Sequence, residues 1–251
     1  MNSEITKGDL FQLGEHRLIC GDARNQEVVA KLVDKEKIAE ILTDPPYGVA
    51  VVESKTGFSQ TKTQHKVIAN DHIQNEKEYL IFTTEWLNAT KPYLNQKNSI
   101  YVFNSDKMIF ALKKGLEQSG CHFSQLLVWV KTQAVIGRMD YLPQHELIAY
   151  AWFGRHRFRH SKDKSVLVYP KPTKSSLHPT MKPVGLLRKL ILNSTETNDV
   201  IYDPFAGSGS TIIAAEQTKR RCFAIECDPD YCLKIIERYK KLTSISAKKI
   251  V

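Results

Sequence analysis

Seven short runs rich in β-branched and aromatic residues recur along the chain: Arg17–Cys20, Ala39–Leu42, Ser99–Phe103, Phe123–Val130, Leu147–Phe153, Val200–Tyr202 and Cys222–Ile225. Stretches of helical period separate them, and strands alternating with helices predict an α/β fold with a largely parallel sheet. Residues 76–94 place Tyr79, Phe82, Trp86, Leu87 and Leu94 along one helical face. Ser105 is positioned to cap the next helix and Gly120 to end it. Pro183 opens another, to about Thr195, at a position where a missing N–H costs nothing. Two more start near Ser210 and Asp230, the last running to about Leu242. No internal repeat interrupts this order, and 251 residues can bury about three-quarters of their unfolded surface without disulfides or metals.

Two of the runs end in unusual turns. Ile41 and Leu42 lead into Thr43-Asp44-Pro45-Pro46-Tyr47-Gly48. The prolines fix φ and bring carbonyls without neighbouring amide donors, so the turn is stiff and rich in acceptors. An amino group held there could donate to the Asp44 carboxylate and the Pro45 carbonyl, with Tyr47 offering a flat face for a ring. An ordinary Asp-Pro turn with Tyr47 half-buried is the competing interpretation. The second turn is Asp203-Pro204-Phe205-Ala206-Gly207-Ser208-Gly209-Ser210-Thr211, a strand entering a glycine turn and then a helix. Glycines let a backbone approach a ligand closely. The dinucleotide fingerprint wants a small residue where Ile212 stands, which argues against a pyrophosphate ligand. Glu226 ends the next strand at about the offset where an acid meets ribose hydroxyls. A nucleoside without a pyrophosphate satisfies all of these features.

The charge is localised. The formal net charge is +9, and residues 131–192 hold twelve lysines and arginines against three acids, a balance equal to the whole excess. Arg155, Arg157, Arg159, Lys162, Lys164, Lys171 and Lys174 face one acid, Asp163, among the aromatics Phe153, Phe158 and Tyr169. Such a strip is either a solvated face or a phosphate-contacting surface. The longest apolar run, Leu147–Phe153, is far too short for a membrane span. The start shows no basic-then-apolar signal segment, so the expectation is a soluble cytoplasmic protein.

Taken in order, these elements resemble amino-group DNA methyltransferases that use S-adenosylmethionine, in the β-type order with DPPY (Asp44–Tyr47) before the glycine element (Phe205–Thr211). Phage and prophage DNA adenine methylases are similar. Leu18-Ile19-Cys20-Gly21-Asp22-Ala23 resembles the element whose acid meets the cofactor's adenine, and His178-Pro179-Thr180-Met181-Lys182-Pro183 the element beside its amino-acid end. Gln144-His145-Glu146 resembles the stretch between DPPY and the recognition segment.

The resemblance implies a seven-stranded, mostly parallel, Rossmann-like class I S-adenosylmethionine-dependent methyltransferase sheet in a single domain, residues 1–251. It implies methyl transfer to adenine N6 in duplex DNA by base flipping, with S-adenosylhomocysteine as product. Asp44, Pro45, Pro46 and Tyr47 would be catalytic. Asp22, Ala23, His178, Thr180, Lys182, Asp203, Phe205, Ala206, Gly207, Ser208, Gly209, Glu226 and Cys227 would surround the cofactor. Residues 154–177, with Arg155, Arg157, Arg159, Lys162 and Lys164, would meet DNA, and 49–75 would form a loop over the target. Double-stranded DNA is the expected partner, with a cognate restriction enzyme in a restriction-modification pair and a homodimer left open. N4-cytosine or RNA amino-methylation, or a non-catalytic DNA-binding protein, are the alternatives.

Five cysteines without CxxC spacing read as packing residues. None follows a proline, which leaves five-carbon cytosine methylation without its nucleophile. His156 and His160, four apart in a basic loop, read as phosphate or solvent contacts, so no metal is expected.

Overall fold

All seven expected runs pair side by side, and they form the centre of a larger sheet. The computed structural model describes residues 4–46, 75–134, 140–160, 162–171 and 181–250. In chain order the strands are β1 (Leu10–Leu13), β2 (His16–Cys20), β3 (Ile38–Thr43), β4 (Leu94–Asn104), β5 (His122–Val130), β6 (His145–Trp152), β7 (Arg155–His156), β8 (Val166–Val168), β9 (Val200–Asp203), β10 (Arg221–Glu226) and β11 (Lys248–Lys249). The helices are α1 (Gln26–Val33), α2 (Glu76–Thr90), α3 (Ile109–Gln118), α4 (Val184–Ser194), α5 (Ser210–Gln217) and α6 (Pro229–Thr243).

The sheet runs β11-β1-β2-β10-β9-β3-β4-β6-β5-β8, with β7 beside β4. From β2 to β4 every neighbour is parallel. β6 then lies antiparallel between β4 and β5. The expected count of seven is therefore corrected to eleven among the described residues. The additions are edge pieces of two to four residues, too short to show a period in sequence.

Alternation along each strand sends neighbouring side chains to opposite faces. In β4, Ile100 and Val102 join α1, α2 and α3 in one core; Tyr101 and Phe103 join α4, α5 and α6 in the other. Two apolar layers on one sheet explain why its strands read as near-continuous apolar runs.

Local chemistry sets the helix ends. Asn75 and Glu78 form a reciprocal capping box at the start of α2. Ser105 does not cap α3 through its side chain as expected: its carbonyl accepts from Met108 and Ile109 at 3.3 and 3.1 Å, and the helix starts after Met108. Gly120, at φ +86, ends that helix in a conformation L-residues avoid. The basic segment 154–177 includes β7 and β8.

One feature of this topology places the site. α5 follows β9 on one face of the sheet, while α2 follows β3 on the other. β3 and β9 are neighbours, so their C-terminal ends open a crevice at a switch point, where sheets of this kind take ligands.

Candidate active site

Both unusual turns leave that switch point. Asp44 and Pro45 leave β3 beside Asp203 at the end of β9, and Thr43 Oγ1 donates to Asp203 Oδ1 at 2.8 Å. Asp203 Oδ1 also accepts from the Phe205 amide at 3.2 Å. Burial pushes the Asp203 carboxyl above its ordinary value, against bonds from Thr211, Thr43 and Phe205. Asp203 thus fastens the two turns together.

The glycine turn is fixed from below and from the side. Gly207 and Gly209 have φ +53 and +72, and a Cβ on Gly209 would stand 3.0 Å from the Ile235 side chain. Arg238 of α6 donates to the Ser208 carbonyl at 2.7 Å and to Ser210 Oγ at 3.0 Å. Glu226 accepts from the Gly207 amide at 2.8 Å and the Asp228 amide at 2.9 Å. Burial still pushes the Glu226 carboxyl up to about 7. Its carboxyl group thus shapes the glycine turn. Ala206 donates to the Ile225 carbonyl at 2.9 Å, and the Phe205 ring lies against Phe82 and Trp86. Trp86 is a core residue, as its spacing suggests.

Ala23 is buried near the end of β2. Asp22 beside it is engaged by its own neighbour, with Arg24 donating from its backbone at 2.9 Å and from Nη2 at 2.7 Å. The half-buried Cys227 has its thiol pushed up to about 12 by burial and by Glu226. Cys20, Cys121, Cys222 and Cys232 are buried and free.

At the Asp44 end, Lys182 donates to Asp44 Oδ2 and lies 3.2 Å from Glu146 Oε2. Lys131 approaches Glu146 Oε1 at 2.9 Å. Lys131, Glu146, Lys182 and Asp44 thus form a row of alternating charge. Both lysines are 6% exposed, over the rings of Trp129 and Phe103 respectively. Burial pushes the Asp44 carboxyl up to about 6, Lys182 opposing and Glu146 reinforcing. Glu146 is also raised by burial, but Lys182 and Lys131 outweigh it and hold it below its ordinary value. Asp44 Oδ1 is shielded from solvent and has no hydrogen-bond partner among the described residues.

Glu146 and Lys131 had no role assigned from sequence. Each stands at the end of an apolar run, which marks a strand end but not a meeting. Tyr47, His178 and Thr180 lie outside the described residues, as do 49–74 and 172–177.

The basic strip divides. β7 pairs with Lys97 and Asn98 near the start of β4, at the opposite end of the sheet from Asp44. Arg157 is held there by Asp199 at 2.9 Å and Glu196 at 3.3 Å, and Arg159 by Glu196 at 2.5 Å. Arg155, Arg157 and Arg159, expected to meet DNA, lie at the N-terminal edge of the sheet, where acids beyond the strip hold Arg157 and Arg159. Lys162 and Lys164 are exposed on the stretch leading to β8, which runs parallel to β5 back toward the catalytic end. A groove of about 680 Å³ follows α4 there, lined by His160, Lys162, Tyr169, Arg188 and Lys189 with Asp163.

Among the described residues no group of three His, Cys, Asp or Glu side chains could hold a metal ion. None of their helices is long and apolar enough to cross a membrane.

A family model described as DNA methylase matches residues 38–238. The Type II methyltransferase M.HpaI of Haemophilus parainfluenzae is 26% identical over 244 residues, 86% of this chain and 72% of that protein. The Type II methyltransferase M2.DpnII of Streptococcus pneumoniae is 27% identical over 225 residues, covering 81% and 82%. Among solved structures, M1.HpyAVI in complex with S-adenosylmethionine superposes with TM-score 0.67 at 22% identity, covering 88% of this chain and 97% of that one. The cytosine-N4-specific PvuII DNA methyltransferase gives TM-score 0.69 at 16% identity, covering 93% and 92%.

Proposed function

The chain belongs to the DNA methylase family, and from that premise we propose that it methylates the exocyclic N6 of adenine in duplex DNA at the Asp44 turn. It is an S-adenosylmethionine-dependent DNA amino-methyltransferase. The observation that carries the assignment of the site is Asp44 Oδ1, an acceptor without a partner among the described residues, on a turn fastened to the glycine element through Thr43 and Asp203.

The residues present fit the cofactor. Asp44 Oδ1 is a buried acceptor left without a partner among the described residues, and the acids Asp22, Glu226, Asp44 and Asp203 suit a ligand with hydroxyls and a positive centre. Asp22, Ala23, Phe205–Gly209, Glu226 and Cys227 would hold it, with His178, Thr180 and Lys182 toward its amino-acid end. When bound, S-adenosylmethionine supplies an electrophilic methyl group on a sulfonium.

The chain's own work is on the amine. An exocyclic amine is a poor nucleophile because its lone pair is delocalised into the base. Asp44 Oδ1 and the Pro45 carbonyl accept its two hydrogens, which steers the nitrogen toward sp³ and gathers lone-pair density on it. Holding that nitrogen in line supplies much of the rate through orientation. Asp44 then takes the proton that nitrogen loses. Tyr47 stacks on the base and offsets part of the cost of flipping it. Lys162 and Lys164, with the groove along α4, hold phosphates. A cognate nuclease in a restriction-modification pair and a homodimer on DNA belong to the same reading.

Nucleoside mass spectrometry of unmethylated duplex DNA, incubated with the protein and S-adenosylmethionine, tests it. N6-methyladenine from the wild type and none from Asp44→Ala is the expected result. N4-methylcytosine would overturn the base and keep the chemistry.

A further inference from the structure

Resting on that reading, we propose that Glu146 is a positioning residue that takes the Lys182 ammonium from Asp44 Oδ2 when the target amine arrives at Oδ1, so that Asp44 is freed of its counter-ion as it accepts the amine. Three observations carry it. Lys182 already bridges two carboxylates, with its directed bond to Asp44 Oδ2 and Glu146 Oε2 only 3.2 Å away. Glu146 Oε2 is shielded from solvent and, among the described residues, has only the loosely aligned Lys182 ammonium at 3.2 Å, so it has room to take that ammonium in full. Lys131 fixes the other oxygen, Oε1, at 2.9 Å and so aims Oε2 at Lys182.

The chemistry requires such a station. A carboxylate neutralised by an ammonium is a weak acceptor for an amine hydrogen, and Asp44 is neutralised while Lys182 stays on it. A buried cation is costly to separate from a carboxylate, and Glu146 is a carboxylate already within 3.2 Å of Lys182. Passing it to Glu146 keeps the cation paired and restores Asp44 as an acceptor. The displacement is short, because both oxygens lie within reach of the same Nζ. The groups facing Asp44 are Lys182, Glu146, Asp203 and Tyr79, with Lys131 behind Glu146.

The test is single-turnover methylation against pH for wild type, Glu146→Gln, Glu146→Asp and Lys131→Met, with cofactor affinity by calorimetry and folding by circular dichroism. In Glu146→Gln, Lys182 loses the second carboxylate and stays on Asp44, so the plateau rate falls about 10²-fold. The acidic limb of the profile moves down by about 1 pH unit, since Asp44 loses a repelling charge and keeps its cation. Glu146→Asp keeps the charge and the wild-type limb. Lys131→Met frees Glu146 to draw Lys182 away, so the limb moves up. S-adenosylmethionine affinity stays within about threefold in all of them, as no group proposed to hold it is changed. A limb that stays at the wild-type pH in both Glu146→Gln and Lys131→Met overturns the inference, whatever happens to the rates. If Glu146→Gln does not fold, the direction of the Lys131→Met shift decides alone. A folded wild type that yields no methylated base would instead overturn the functional reading, and this inference with it.

Discussion

Thr43 Oγ1 donates to Asp203 Oδ1 at 2.8 Å, joining the ends of two neighbouring strands whose following turns carry different halves of the proposed reaction. The bond is buried, so its loss leaves a buried carboxylate short of a donor. Thr43→Val, which keeps shape, is expected to cost about 1–3 kcal/mol of stability. Denaturant unfolding measures this, and an unchanged midpoint would show that Asp203 finds another donor.

Asp44→Asn keeps the shape of the side chain and removes its charge. Loss of a preorganised acceptor predicts a fall of about 10²–10³-fold in the single-turnover rate, with S-adenosylmethionine affinity close to wild type. Equal loss of rate and cofactor affinity would move Asp44 from the reacting amine to the cofactor.

The rate should depend on pH through the same carboxyl. Asp44 works as an acceptor only when ionised, and burial raises it to about 6. Single-turnover rates are therefore expected to be flat above that value and to fall below it. An acidic limb near the ordinary carboxylate value of 3.8 would mean that the bound state leaves Asp44 solvated.

Gly209→Ala meets two obstacles at once. The backbone sits at φ +72 and the new Cβ would lie 3.0 Å from Ile235. The left-handed conformation alone costs an L-residue about 1–2 kcal/mol. Thermal melting should drop, and cofactor affinity should fall with the distorted turn; trimming Ile235 to Val restores neither, because both γ carbons that the Cβ would meet remain.

Glu40, buried in β3, predicts a pH-dependent stability remote from the site. Burial holds its carboxyl well above 4.5, so the folded state binds that proton more tightly than the unfolded chain. The stabilising effect is complete below 4.5 and is lost as pH rises through the folded value. Glu40→Gln has no proton to lose, so its melting temperature relative to wild type should rise from pH 5 to pH 8. A constant difference would show that Glu40 is ionised in the fold.

The basic strip predicts two kinds of residue. Lys162→Ala with Lys164→Ala should reduce the salt slope of DNA affinity by about 2, one phosphate each. Arg157→Ala with Arg159→Ala should lower the melting temperature and leave that slope unchanged, because their charges meet Glu196 and Asp199.

The seven runs, a largely parallel sheet and both turns were legible in the sequence because they depend on local chemistry. Apolar period, proline-fixed φ and glycine at positive φ are properties of a few consecutive residues. So were Trp86 as core and four of the five cysteines as packing, since spacing and surroundings indicate burial. The partners of charged side chains were not legible. Glu146 and Lys131 read as ordinary charges at strand ends, Arg157 and Arg159 as members of a cationic strip, and Lys182 as a cofactor neighbour. Each acquires its meaning from a residue distant in the chain: Lys182 from Asp44, 138 positions away, and Arg157 from Asp199 across α4. Charge pairing acts through space over a few ångströms, so only the tertiary structure, by placing the ends of β3, β5 and β6 beside one crevice, decides which ions meet.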